Sequence, residues 1–287
     1  MRYSRLILAI GLMPGFGAGE FAAWGQEQPA SSATPVPTAP VALENTGKPM
    51  LLPFQCTNED LHSAGLSCTE EEPCQTFLEL SATALAGTRI FAAGNLHTDS
   101  VTLYSVLLAS DDGGRTWTEA HERIRSAGLD HIQFQNAEKG WISGEELSPL
   151  PQNPFLLVTT DGGKNWTVRP ILNEATEDRF GTVQQFYFAD NNVGNLIVDR
   201  GQGSEGRYTL YESPDGGENW LIQRESNKPL SVKVPSAVPA EWRIRVDAGS
   251  KSYHIERRQG ERWSPVAAFL VKLDPCKPPK PPENRDQ

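Results

Sequence analysis

The hydrophobic positions of this 287-residue chain fall into short runs, not long helical stripes. From residue 77 onward the runs come in groups of four, rich in β-branched and aromatic residues and bounded by turn residues. The first group covers 77–82, 89–94, 103–110 and 116–121. The second covers 130–135, 140–144, 155–160 and 165–169, and the third 183–189, 194–199, 208–213 and 219–223. Segments such as Phe186-Tyr187-Phe188 and Phe155-Leu156-Leu157-Val158 lack polar–apolar alternation, which fits strands covered on both faces. A fourth group follows at 230–234, 242–247, 253–257 and 263–270. The pattern predicts an all-β chain of about four four-stranded units.

The first three groups carry one turn written three times, between their third and fourth runs. It reads Ser110-Asp111-Asp112-Gly113-Gly114-Arg115-Thr116-Trp117, then Thr159-Thr160-Asp161-Gly162-Gly163-Lys164-Asn165-Trp166, then Ser213-Pro214-Asp215-Gly216-Gly217-Glu218-Asn219-Trp220. Asp112, Asp161 and Asp215 lie 49 and 54 residues apart, a period that suits propeller blades. Gly114, Gly163 and Gly217 belong to Gly-Gly pairs, which supply positive φ without a Cβ penalty. The Asp carboxylate can take hydrogen bonds from N–H groups of the turn, and Ser110, Thr116, Thr159, Asn165, Ser213 and Asn219 can add side-chain bonds. Trp117, Trp166 and Trp220 open the returning run and can cover the turn with a broad apolar face. In the fourth group Gly260 and Trp263 keep their places, but Arg258 stands where the Asp belongs, so the carboxylate brace is missing.

This motif resembles the Asp-box, or BNR repeat, of sialidase-like β-propellers. The same box occurs in the photosystem II assembly and stability factor family and in secreted bacterial propellers. The resemblance covers roughly residues 76–270 and implies a propeller domain over 76–275, with the boxes as peripheral structural elements away from any active site. Related propellers usually have six or seven blades. A small closed ring is favoured here, and an open arc that completes itself by dimerising is the competing arrangement.

The ends of the chain read differently. Arg2 and Arg5, the short apolar stretch 6–16 and Ala23-Trp24-Gly25 form a secretory signal pattern over 1–25. Residues 26–50 are dense in Pro, Ala, Ser and Thr and read as a disordered linker; 51–75 read as a Cys-containing cap, and 276–287 as a Pro/Lys-rich tail. Four cysteines in an exported chain suggest two disulfides. The favoured pairing is Cys56–Cys68 as a local loop with Cys74–Cys276 as a clasp; the runner-up is Cys68–Cys74 with Cys56–Cys276.

Catalytic chemistry finds little support. The resemblance implies that a sialidase would need an arginine triad, a Tyr nucleophile with a Glu partner and an acidic proton donor. The family's Arg-Ile-Pro motif is absent, the nearest strand reading Thr88-Arg89-Ile90-Phe91, and Arg89, Arg123, Arg125 and Arg200 show no triad spacing. No phosphate loop, nucleophile elbow or zinc helix is present, and His62, His97, His121, His131 and His254 occur singly, so neither cofactor nor metal is expected. Glu70-Glu71-Glu72 and Glu145-Glu146 read as solvated loop charges. Trp141 and Trp242 read as core residues ahead of binding anchors.

The formal charge is −10, and removal of 1–25 with Arg2, Arg5 and Glu20 makes it −11, a poor match to nucleic acid or anionic membranes. No integral membrane segment is expected after signal cleavage. The expectation is an exported, non-catalytic propeller that binds another protein or an extracytoplasmic glycan, with contacts on the connections 95–102, 144–153, 173–181 and 200–206. The alternative is a sialidase-like glycoside hydrolase or a carbohydrate-binding module.

Overall fold

A computed structural model describes residues 41–147, 150–172, 179–189, 193–234 and 241–278. The expected signal segment, the linker up to residue 40, the connection 173–178 and the tail beyond 278 lie outside the described residues. A short strand, β1 (Leu43–Glu44), and one short helix, α1 (Asn58–Ser63), precede the repeats. Blade 1 then holds β2 (Phe77–Ala86), β3 (Arg89–His97), β4 (Thr102–Ser110) and β5 (Thr116–Glu119). Blade 2 holds β6 (Ala127–Phe134), β7 (Gly140–Leu147), β8 (Pro151–Thr159) and β9 (Thr167–Pro170). Blade 3 holds β10 (Thr182–Phe188), β11 (Gly194–Asp199), β12 (Tyr208–Ser213) and β13 (Leu221–Ser226). Blade 4 holds β14 (Trp242–Asp247), β15 (Ser252–Gln259) and β16 (Arg262–Leu270). Each sheet is antiparallel and paired in chain order, β1 joining blade 1 beyond β5. The fold is an all-β propeller of four blades.

Apolar residues buried between neighbouring sheets hold the blades together. Phe91, Ala93 and Leu107 of blade 1 meet Leu129, Ile142 and Leu157 of blade 2. On the other face of blade 1, Leu78, Ile90, Leu108 and Trp117 meet Ile255, Ala267 and Phe269 of blade 4. Trp141 and Leu156 of blade 2 join Val183, Phe186 and Phe188 of blade 3. Each large side chain fully buried in this way contributes roughly 1.5–3 kcal/mol.

Three expectations change. Part of 41–50, placed in a disordered linker, is tied to the sheets. Leu43 and Glu44 pair with Trp117 and Thr116, and Met50, 7% exposed, exchanges backbone hydrogen bonds with Ala268 and Leu270 beside β16. The composition of 26–50 taken as a whole hid the few residues that fit these edges. The run 230–234 forms no strand; Leu230 and Val232 pack on Ile197 and Tyr208 of blade 3, and the Gln185 side chain takes the Val232 N–H. Among the described residues blade 4 therefore has three strands.

The disulfide pairing also differs from the favoured one: the bonds are Cys56–Cys276 and Cys68–Cys74. Thr69 and Glu72 close a tight turn that brings the Cα atoms of Cys68 and Cys74 within 5.3 Å. Cys74 and Cys276 do meet, but through their backbones, each N–H donating to the other's carbonyl. The Cys276 sulfur instead bonds Cys56, at the start of the segment that runs into α1. There Thr57 caps α1, the Asp60 carboxylate accepts from the Thr57 N–H, and Arg125 of the blade 1–2 connection reaches Asp60 at 3.0 Å. Tyr104 of β4 also donates to Asp60, and burial together with that carboxylate pushes the Tyr104 hydroxyl up to about 12.

Candidate functional site

The three repeated turns are built alike. Asp112 Oδ1 accepts from the Arg115 and Thr116 N–H groups at 3.0 and 2.9 Å, and Oδ2 accepts from the Thr116 hydroxyl at 2.7 Å. The Ser110 hydroxyl donates to Asp112 and accepts from the Gly114 N–H. Asp161 repeats the pattern with Lys164, Asn165, Thr159 and Gly163, and Asp215 with Glu218, Asn219, Ser213 and Gly217. Bonds from the Asn165 side chain and backbone hold Asp161 down to about 2. Burial pushes Asp215 upward, but the Asn219 bonds outweigh it and leave the group at about 2. These carboxylates serve their own turns.

The glycines let neighbours close in. Gly163 has φ +77° and lies so near Phe91 that a Cβ would fall 2.3 Å from that ring; a Cβ on Gly114 would fall 2.5 Å from Val266. Each turn thus presses on the preceding blade. The fourth turn is different. Gln259 pairs directly with Arg262, so Gly260 sits in a two-residue hairpin loop at φ +62°, and Trp263 stacks under Arg243 at 4.3 Å. Without the Asp brace the longer turn gives way to a tight one.

The arginines do not converge. Arg89 meets Asp111, Arg123 meets Glu119, Arg125 meets Asp60, and Arg200 reaches the Thr209 and Tyr211 hydroxyls. Trp141 is fully buried, stacked 4.0 Å from Phe188, with its indole N–H on the Gly216 carbonyl. Trp242 is partly buried beneath Arg257. The connection 95–102 is mostly strand, leaving a tight hairpin closed by Thr98 and Val101.

One acidic pair escaped sequence reasoning. In β2, β6 and β10 the pairing with the next strand skips a residue, at Ser81, Asp130 and Gln184. Such bulges re-aim a side chain. Asp130 at the β6 bulge lies near Glu145 on β7, close enough for the two carboxyls to influence each other, and Thr182 of blade 3 lies near Glu145. Glu145 is only 5% exposed, so it is not the solvated loop charge expected; β7 continues as strand to Leu147 and carries it inward. Burial and the neighbouring Asp130 push Glu145 up to about 9, and burial raises Asp130 as well. Its neighbour Glu146 accepts from the Asn153 side chain at 2.7 Å. No local sequence signal separates Glu145 from Glu146. Among the described residues no group of three or more His, Cys, Asp or Glu is placed to hold a metal.

A second feature lies at the outer edges of the blades. In blade 1 the edge is covered. Asn45 donates its N–H to the Arg115 carbonyl and its side-chain amide to the carbonyls of Gly114 and Val266, all at 2.8 Å. Trp117 beneath is fully buried, packed edge-to-face on Phe269, its indole N–H on the Gly114 carbonyl. In blade 3 no strand pairs beyond β13 among the described residues. Leu221 and Ile222 are 57% and 56% exposed, and the buried Trp220 indole N–H has no acceptor. Beside them lies a cavity of about 450 Å³, walled by Ile171, Leu172, Trp220 and Ile222 and also by the charged Arg200 and Glu218. At its rim Arg169 pairs with Glu218 at 3.1 Å.

No protein-family model matches the chain, and no curated protein matches it. Among solved structures it is similar to YCF48 bound to D1 peptide, at 20% identity and a TM-score of 0.38, over 67% of this chain and 56% of that one. YCF48 from Cyanidioschyzon merolae gives 19% identity and a TM-score of 0.35, over 67% and 57%. A GH74 xyloglucanase from Xanthomonas campestris gives 17% and 0.36, over 65% and 28%. The chain thus matches little more than half the length of the YCF48 structures.

Proposed function

We propose that this chain is an exported, non-catalytic propeller that binds another protein through the outer edge of blade 3. The observation that carries the reading is the pair Leu221 and Ile222, more than half exposed on an outer strand with no strand beyond it among the described residues, beside a cavity of mixed apolar and charged lining. An exposed aliphatic strand edge is a template for pairing with another chain, and in monomers it is normally covered or charged. Export is supported by the signal pattern over 1–25 and by two disulfides, which persist in oxidising compartments. YCF48 is described bound to a peptide, and a comparable role is part of this proposal for the present chain.

A glycoside hydrolase is the second reading, and one observation favours it: the buried pair Asp130 and Glu145, with Glu145 held protonated at neutral pH. The geometry argues the other way. Glycosidase carboxyls must both reach the scissile bond from about 5–9.5 Å apart, whereas Glu145 is only 5% exposed. The test is a crosslinking capture from extracytoplasmic extract, run beside a panel of chromogenic glycosides. A specific protein partner with no hydrolysis is expected. Turnover that disappears in Glu145→Gln would replace the binding role with the enzymatic one.

A further inference from the structure

We infer that the groove at the outer edge of blade 3 takes an extended peptide of a protein partner, of the form aliphatic–any residue–Asn, added antiparallel beyond β13. The inference deepens the protein-binding reading and rests on it. The molecule carries its own template, because the corresponding edge of blade 1 already holds such a segment.

The repeat places Gly217, Glu218, Asn219 and Trp220 where blade 1 has Gly114, Arg115, Thr116 and Trp117. In blade 1, Leu43 lies opposite Trp117, Glu44 opposite Thr116, and the Asn45 N–H bonds the Arg115 carbonyl. The Asn45 amide then ties the Gly114 turn to β16 of the preceding blade. Leu43-Glu44-Asn45 is an aliphatic–any residue–Asn segment. It is one reason Trp117 is fully buried while Trp220 remains partly open.

At blade 3 the same elements stand ready. Ile171 and Leu172 of the preceding blade line the cavity with Trp220, so an aliphatic side chain finds apolar walls. The Glu218 and Gly217 carbonyls correspond to the two acceptors that Asn45 uses on the blade 1 turn. At the rim Glu218 is already paired with Arg169. Backbone pairing would supply affinity and the two side chains specificity, as in other strand additions.

The test uses the full chain and a fluorescein-labelled 12-residue peptide with the sequence of residues 41–52, followed by anisotropy. Saturable binding is expected. It should weaken at least tenfold with Asp in place of the peptide's Leu, and at least tenfold with Ile222→Lys in the protein. Ile222 is exposed, so that variant should keep its melting temperature; Leu221→Lys is the reserve if it does not. Absence of saturable binding, or binding indifferent to both lysine variants, overturns the proposal. So does a concentration-dependent dimer in sedimentation that Ile222→Lys abolishes, which would assign the edge to a second copy. A captured partner that binds wild type and Ile222→Lys equally would leave the protein-binding function standing and remove this groove as its site.

Discussion

The seam between blades 4 and 1 and the seam between blades 2 and 3 use the same parts and finish them differently. At both, a repeated turn presses its Gly-Gly corner on the preceding blade and sends a Trp back along the outer strand. At the first seam Leu43, Asn45 and Met50 lie along the outer strands, and Cys56–Cys276 ties the chain entering the propeller to the chain leaving it. At the second, Leu221 and Ile222 face solvent, and Glu145 lies buried at the seam while keeping a proton. The repeat specifies the turn. What lies over the Trp is decided by residues far away in sequence.

The clasp is the place to break the first seam. Cys56 and Cys276 are 220 residues apart, so in the loop-entropy model Cys56→Ser with Cys276→Ser should cost roughly 5 kcal/mol. The pair Cys68 and Cys74, only 6 apart, should cost roughly 2 kcal/mol. Guanidinium melts of the two double variants measure the difference. Equal losses would show that the termini are held by packing alone.

The second seam should respond to pH. Glu145 is raised to about 9 from the ordinary carboxylate range, so folding favours its protonated form. That contribution is complete below pH about 4.5 and is lost as pH rises toward 9, on the order of a few kcal/mol. Glu145→Gln should flatten the alkaline decline in thermal stability and leave acidic melts little changed. A wild-type melting temperature constant from pH 5 to 9 would contradict the buried, protonated pair.

Next come the outer edges themselves. Met50→Ala, at a buried site on the sealed seam, should cost about 2–5 kcal/mol, whereas Leu221→Ala on the open one should stay within about 0.5 kcal/mol. Denaturant melts of both variants sharpen the contrast directly. A loss at Leu221 comparable to that at Met50 would mean that the edge of blade 3 is covered after all.

Much of the fold was written locally. Runs bounded by turn residues marked β2 to β13 within a few positions, and the thrice-repeated turn marked the hairpins. What was missed has long-range causes. Met50 looks like linker until Phe269 is beside it. Cys276 meets the backbone of Cys74 but the sulfur of Cys56, a distinction no spacing records. The run 230–234 has the residues of a strand, but Leu230 and Val232 turn their side chains onto blade 3. Of the candidate sites, the turn carboxylates were visible because their partners lie within four residues. The Asp130–Glu145 pair and the blade 3 groove were not, because a bulge aims one and two blades enclose the other.

The smallest effect expected concerns the turns that the two seams share. Asp161 and Asp215 are held at about 2, and Asp112, bonded first to the Thr116 N–H and then to its hydroxyl, lies lower still. Depressed carboxylates stabilise the fold above the ordinary range near pH 4, and that stability is lost as pH falls through their folded values. All three are only partly buried, so solvent screening keeps each contribution small. Carboxyl chemical shifts followed by NMR should show Asp161 and Asp215 still ionised at pH 3. Asp215→Asn should shallow the acid limb of the stability curve slightly. Because Asn45 and Val266 buttress the Asp112 turn and no such strand lies over the Asp215 turn among the described residues, acid should loosen the blade 3 turn first, seen as earlier loss of amide protection at Asn219 than at Thr116. The reverse order would remove the covering strand from the account of why the two seams differ.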